Sequence, residues 1–159
     1  MKVQLLRLTM MPRIAFVTLA AAMIAVACAQ EPDLNIFLEK KTPPSFSFSG
    51  RSLAADFEVL ELPLTKPLSK TNPFSFTGKT IWKISAPEKI KGAKWPSVTY
   101  GDVPNGFSQT IPDQGPPPKL AEDKLYVARI VGDKDAQTAL FFEIRNGRPV
   151  NVSDKVLGP

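Results

Sequence analysis

Lys124-Leu125-Tyr126-Val127-Ala128-Arg129-Ile130-Val131 and, shortly after, Thr138-Ala139-Leu140-Phe141-Phe142-Glu143-Ile144-Arg145 repeat with a period of two, and that period decides the fold. Tyr126, Ala128 and Ile130 share one side of the first stretch; Leu140, Phe142 and Ile144 share one side of the second. Successive side chains of a β-strand point to opposite faces, so this alternation predicts two half-buried strands. Asn146-Gly147 follows directly, the pair favoured in two-residue hairpins because both positions adopt positive φ. Arg148-Pro149-Val150-Asn151-Val152 then reads as the returning strand.

The same pattern extends upstream. Ser45-Phe46-Ser47-Phe48-Ser49 alternates strictly and is closed by Gly50. Asp56 to Leu60 puts Phe57 and Val59 on one face, and Thr80 to Ile84 does so with Trp82 and Ile84. Val98-Thr99-Tyr100 is a shorter run closed by Gly101. No helix-length amphipathic run follows Cys28, and most of the 16 prolines lie where they would interrupt one. Short β-branched and aromatic runs separated by Gly, Pro and Asn predict an all-β protein, a single β-sandwich of about seven strands over residues 45–159.

Leu120-Ala121-Glu122-Asp123-Lys124-Leu125-Tyr126 places a leucine six residues before a strand tyrosine. That spacing resembles the tyrosine corner of fibronectin type III and immunoglobulin-like sandwiches. The resemblance implies that Tyr126 is a structural anchor whose hydroxyl bonds backbone upstream of its own strand, with Leu120 packed beneath the turn. It also implies that Trp82 is the central core tryptophan. The cysteine pair of antibody-type domains is absent, since the chain has a single cysteine.

That cysteine closes an apolar run from Ile14 to Val26, preceded by Lys2, Arg7 and Arg13 and ending Ala25-Val26-Ala27-Cys28. A secretory leader needs a positive start, an apolar stretch of about 7–15 residues and small residues before the cut. A spanning helix wants about 20 apolar residues, more than this run offers. The segment resembles a bacterial lipoprotein signal peptide. That resemblance implies a leader helix over residues 1–27, lipidation at Cys28, and a lipidated N-terminus with a flexible tether over residues 28–44. Within the tether, Leu34, Ile36 and Leu38 would share one face of an extended segment, so a short edge strand is possible there. Ala29 after the cysteine implies, by the behaviour of that family, a cell-envelope location in the outer rather than the inner membrane. Met11-Pro12-Arg13 offers a more compact leader and an alternative start to Met1.

Composition excludes several kinds of chemistry. The chain has no histidine, which removes Ser-His-Asp and Cys-His catalysis and histidine metal sites, and one cysteine cannot build a thiolate zinc site. No metal or cofactor is expected beyond the covalent lipid. The formal charge is +5, but three of the 20 basic residues and none of the 15 acidic ones precede Cys28, so the remainder carries +2. A nucleic-acid surface would need a concentrated basic face, so no nucleic-acid partner is expected.

The most unusual stretch runs from Tyr100 through Asn105-Gly106-Phe107-Ser108-Gln109 to Gly115-Pro116-Pro117-Pro118. Stiff proline backbone lowers the ordering cost of binding, so Tyr100, Phe107, Gln109, Pro116, Pro117 and Pro118 form a candidate partner contact. A long inter-strand connection pinned by Phe107 and Ile111 accounts for the same residues. Lys89, Lys91 and Lys94 beside Trp95 form a small basic cluster that reads as a solvated loop in preference to a site for anionic headgroups or acidic glycans. Asp133-Lys134-Asp135 lacks the glycine and glutamate that a calcium loop requires. Asn151-Val152-Ser153 matches a glycosylation acceptor that a bacterial leader makes accidental. Glu58, Glu61 and Glu143 are the carboxylates a hydrolase would have to use.

These residues predict a non-enzymatic, lipid-anchored envelope protein. It would be held to the membrane by Cys28 and would contact an unknown protein or an envelope glycan. One alternative is a periplasmic carrier of a small apolar ligand between the sheets. The other is a carboxylate hydrolase, disfavoured by the missing histidine.

Overall fold

The computed structural model describes residues 34–63, 77–132 and 137–157. The leader, Cys28 and the Asp133–Asp135 segment lie outside the described residues. The first strand, β1 (Leu34–Glu39), forms in the stretch assigned to the tether. There follow β2 (Ser45–Gly50), β3 (Leu53–Leu62), β4 (Lys79–Lys91), β5 (Val98–Thr99), β6 (Ser108–Ile111), β7 (Leu125–Gly132), β8 (Gln137–Arg145) and β9 (Arg148–Asn151). A single short helix, α1 (Ser153–Leu157), closes the chain among the described residues.

The protein is all-β. Its strands form two packed sheets, one of three strands in the order β1-β2-β5 and one of six in the order β6-β4-β3-β7-β8-β9. Every pairing is antiparallel. Among the described residues there are nine strands: the seven expected from the alternation, β1 as the edge strand that the Leu34-Ile36-Leu38 pattern allowed, and β6 inside the Tyr100–Pro118 connection. The sandwich therefore begins at Leu34 among the described residues, upstream of Ser45. β1 pairs with β2 over its whole length, from Leu34 opposite Gly50 to Glu39 opposite Ser45. That burial keeps Leu34 and Ile36 in the main core.

The core is aromatic. Phe46 from the small sheet meets Phe57 and Phe142 of the large one at ring-centroid distances of 5.2 and 5.6 Å. Phe57 stands edge-on to Trp82 at 6.1 Å, and Tyr126 stacks on Phe142 at 5.5 Å. All five rings are essentially inaccessible to solvent. Each buries about 150–250 Å², so these few residues dominate the apolar contribution to stability.

The outward face of the large sheet has two halves. Leu62, Val127, Phe141 and Val152 form a second, smaller core, with Val156 of α1 packed against it. Ser153 starts that helix; its backbone N–H donates to Asn151 Oδ1 at 2.9 Å, and its hydroxyl accepts from the Phe141 N–H at 3.0 Å. The other half is ionic. Glu58, 8% exposed, accepts from the Arg129 guanidinium and from the Thr80 hydroxyl. Asp56 accepts from Ser85 Oγ at 2.6 Å and pairs with Lys83 at 3.2 Å.

Candidate functional site

One end of the sandwich carries an open groove of about 500 Å³. Four segments build it: Thr42-Pro43-Pro44 between β1 and β2, Tyr100-Gly101 after β5, Pro116 to Leu120 before β7, and the β8–β9 hairpin with Ile144 and Gly147. Five of the lining residues are prolines, whose rings present apolar surface and whose nitrogens carry no hydrogen. Lys119 is the single charged lining residue.

The walls are tied together rather than merely adjacent. The Tyr100 hydroxyl donates to the Pro118 carbonyl at 2.8 Å, and the Tyr100 N–H donates to the Pro44 carbonyl at 2.8 Å. The Thr42 hydroxyl donates to the Gly147 carbonyl at 2.9 Å, while the Gly147 N–H donates to a Glu122 carboxylate oxygen at 2.7 Å. The hairpin tip can be held this way because Asn146 and Gly147 both adopt positive φ, 51° and 70°. The Thr42 and Tyr100 hydroxyls and the Tyr100 and Gly147 N–H groups are thereby engaged in the groove's own construction. The site offers mostly apolar contact in a cross-tied shape, with Lys119 as its one charged side chain.

Tyr100 is the pillar under this groove. It is 8% exposed and stands edge-on to Trp82 at 5.2 Å, linking the groove floor to the core. Burial pushes its hydroxyl well above the usual phenol range, with smaller contributions from Tyr126 and Glu61.

Of the six residues singled out as a contact surface, the structure brings four together: Tyr100, Pro116, Pro117 and Pro118. Phe107 and Gln109 lie elsewhere and act inside the fold. Phe107 packs edge-on to Trp95 at 5.1 Å, against the core. Gln109 on β6 accepts from Trp82 Nε1 at 2.9 Å, and its amide donates to the carbonyls of Pro112 and Gly115 at 2.8 Å each. It thus fixes the turn that leads into the proline run. Thr42, Pro43 and Pro44 complete the groove, and the only sequence signal for them was the Pro43-Pro44 pair itself.

Tyr126 sits second in β7, and its hydroxyl accepts from the Ala121 N–H at 2.8 Å, five residues upstream. Leu120 is partly buried against the main core beside the groove. Trp82 is fully buried, on β4. The carboxylates weighed for hydrolysis are all ion-paired: Glu58 with Arg129, Glu61 with Lys124 at 3.0 Å, and Glu143 with Arg145. No cluster of metal-ligating residues occurs among the described residues. Trp95 beside the lysine cluster is buried, packed on Phe48 at 5.5 Å, while Lys91 and Lys94 are exposed. The inter-sheet space that an apolar cargo would occupy is filled by the rings of Phe46, Phe57, Trp82 and Phe142.

The fold and the groove define the class: an all-β, two-sheet sandwich with a preformed apolar groove at one end. Comparison with protein-family models, curated proteins and solved structures finds no match for this chain.

Proposed function

We propose that this chain is a lipid-anchored cell-envelope protein, without enzymatic activity, that contacts another envelope component through the prolyl groove. The observation that carries this reading is the groove's construction. Its walls are cross-tied, its lining is apolar, and the one charged side chain there is Lys119. Such a site is preorganised for binding, because little ordering entropy remains to be lost on contact. The leader ending at Cys28 supports the anchoring.

The domain itself reads as immunoglobulin- or fibronectin III-like. In that class the strands, lettered in chain order, divide A, B and E from C, F and G, and the variable form adds C′ beside C. The order β1-β2-β5 opposite β4-β3-β7-β8 has this wiring, with β6 and β9 as additional edge strands. Tyr126, bonded to backbone upstream of the strand in the F position, supports the same reading. Trp82 lies in the C′ position, and Phe57 fills the core place on C.

A photo-crosslinking side chain at Lys119, compared with one at Lys83 on the opposite sheet face, tests the contact in intact cells. A discrete adduct of a single envelope component at position 119 and none at 83 is expected. Equal capture at both positions, or none above background, refutes the groove as the contact. Metabolic acyl labelling of the wild type and of Cys28→Ser tests the anchor; label on both, or on neither, refutes it.

A further inference from the structure

The two outer faces of this sandwich differ in kind. Leu34, Ile36 and Phe46 of the small sheet point into the core, with Leu38 and Phe48 packed behind them. By alternation, Asn35, Phe37, Ser47 and Ser49 point outward. Asn35 lies opposite Ser49 and Phe37 opposite Ser47, so the four form one patch. The patch itself carries no charge; Glu39 paired with Lys41 stands beyond one end and Arg51 beyond the other, and Lys91 and Lys94 flank Gly92, which approaches the Ser49 backbone. The corresponding face of the large sheet carries Asp56, Glu58, Lys83 and Arg129. Phe37, at 52%, is the most exposed large hydrophobic residue among the described residues. The short side chains around it leave the ring standing above its surroundings.

The neutral face is also where the chain enters the domain. Leu34 is the first residue of β1, and it lies six positions after Cys28, with five residues between them. A chain of that length reaches at most about 20 Å when fully extended.

We propose that the outer face of the three-stranded sheet lies against the lipid surface that holds Cys28, with the Phe37 ring inserted at the boundary between headgroups and acyl chains. This orientation rests on the lipid anchor proposed above. Serine hydroxyls and the Asn35 amide remain hydrogen-bonded in the wet headgroup layer, whereas the ion pairs of the large sheet would lose hydration there. A phenyl ring gains by leaving water at that boundary. The strands then lie along the membrane plane. The groove at their ends opens sideways, toward a partner that is itself close to the lipid surface.

The test uses the full chain, processed and acylated in the cell and then reconstituted into phosphatidylcholine vesicles, with and without added phosphatidylglycerol. Because Cys28 is the only native cysteine, Ser47→Cys and Lys83→Cys each provide a single site for an environment-sensitive fluorophore. Intact mass first reports whether Cys28 carries lipid. On acylated protein, lipids brominated near the headgroup are expected to quench the label at position 47 and leave that at 83 unchanged. The result should be the same in both vesicle compositions, because the face is neutral. Phe37→Ser, with its fold checked by circular dichroism, is expected to lose the quenching at 47 while keeping the acyl chain. Equal quenching at both positions, no quenching at 47, quenching only with phosphatidylglycerol, or quenching that survives Phe37→Ser overturns the orientation and leaves the anchor intact. An unmodified Cys28 overturns both.

Discussion

Replacing Tyr100 by Phe separates the two tasks of this residue, because it keeps the ring against Trp82 and deletes only the hydroxyl that holds the Pro118 carbonyl. A neutral intramolecular hydrogen bond contributes about 0.5–1.5 kcal/mol net. The carbonyl left behind belongs to an exposed proline and can accept from water instead, which keeps the loss near 1 kcal/mol. For a domain of this size that corresponds to a fall in melting temperature of roughly 3–5 °C. Tyr100→Ala deletes the ring as well and leaves a cavity beside Trp82; losses of about 3–5 kcal/mol are typical for large aromatic truncations. Urea denaturation of the soluble form carrying Cys28→Ser, followed by the fluorescence of the two tryptophans, measures both variants on one scale. Groove rigidity is read separately, as faster hydrogen exchange at the Lys119 and Leu120 amides, which directly follow the prolines, in Tyr100→Phe with exchange in β3 and β7 unchanged. If Tyr100→Phe costs as much as Tyr100→Ala, or leaves exchange at Lys119 and Leu120 unaltered, the hydroxyl is not what fixes the groove wall.

The Glu58–Arg129 pair gives a second outcome. Arg129→Met strands a carboxylate that is 8% exposed and is expected to cost about 3–5 kcal/mol. Lys124→Ala, which breaks the more exposed pair with Glu61, should cost less than about 1 kcal/mol in the same urea assay. Gly92→Ala would place a Cβ 2.6 Å from Leu34 Cδ2 and 2.9 Å from the Ser49 carbonyl oxygen. The expected loss is about 1–3 kcal/mol, read as a lower denaturation midpoint. Alkaline pH tests the two tyrosines, the only ones in the chain. Burial raises both hydroxyls in the folded state, so the unfolded chain ionises first, near pH 10. Their contribution to stability is therefore complete below about pH 10 and is lost as pH rises through the folded values. Phenolate absorbance near 295 nm should appear only with unfolding, and a titration near pH 10 in folded protein would contradict the buried geometry.

Much of the sandwich is legible in the chain, because a half-buried strand writes its own period. Phe57 with Val59, Trp82 with Ile84, Tyr126 with Ala128 and Ile130, and Leu140 with Phe142 and Ile144 each announce an inward face, and all of them lie in the main core. Asn146-Gly147 announces its turn because few residues tolerate positive φ at both positions. β1 is harder to read, since its polar surroundings and nearby prolines look like a tether until β2 supplies the partner that buries Leu34 and Ile36. β6 is harder still: four residues with no buried side chain among them, made a strand by pairing with β4.

The groove marks where sequence reasoning ends. Composition and period alone determine that this chain is all-β, has no histidine chemistry and carries a stiff proline run after Tyr100. Only the tertiary structure decides that the run faces Pro43 and Pro44, some seventy residues earlier, while Phe107 and Gln109 turn inward. The reason is physical. Alternation fixes which side of a strand each residue takes, but which strands lie together is set by burying aromatic rings across both sheets and by finding a partner for every buried donor, and neither is local in sequence.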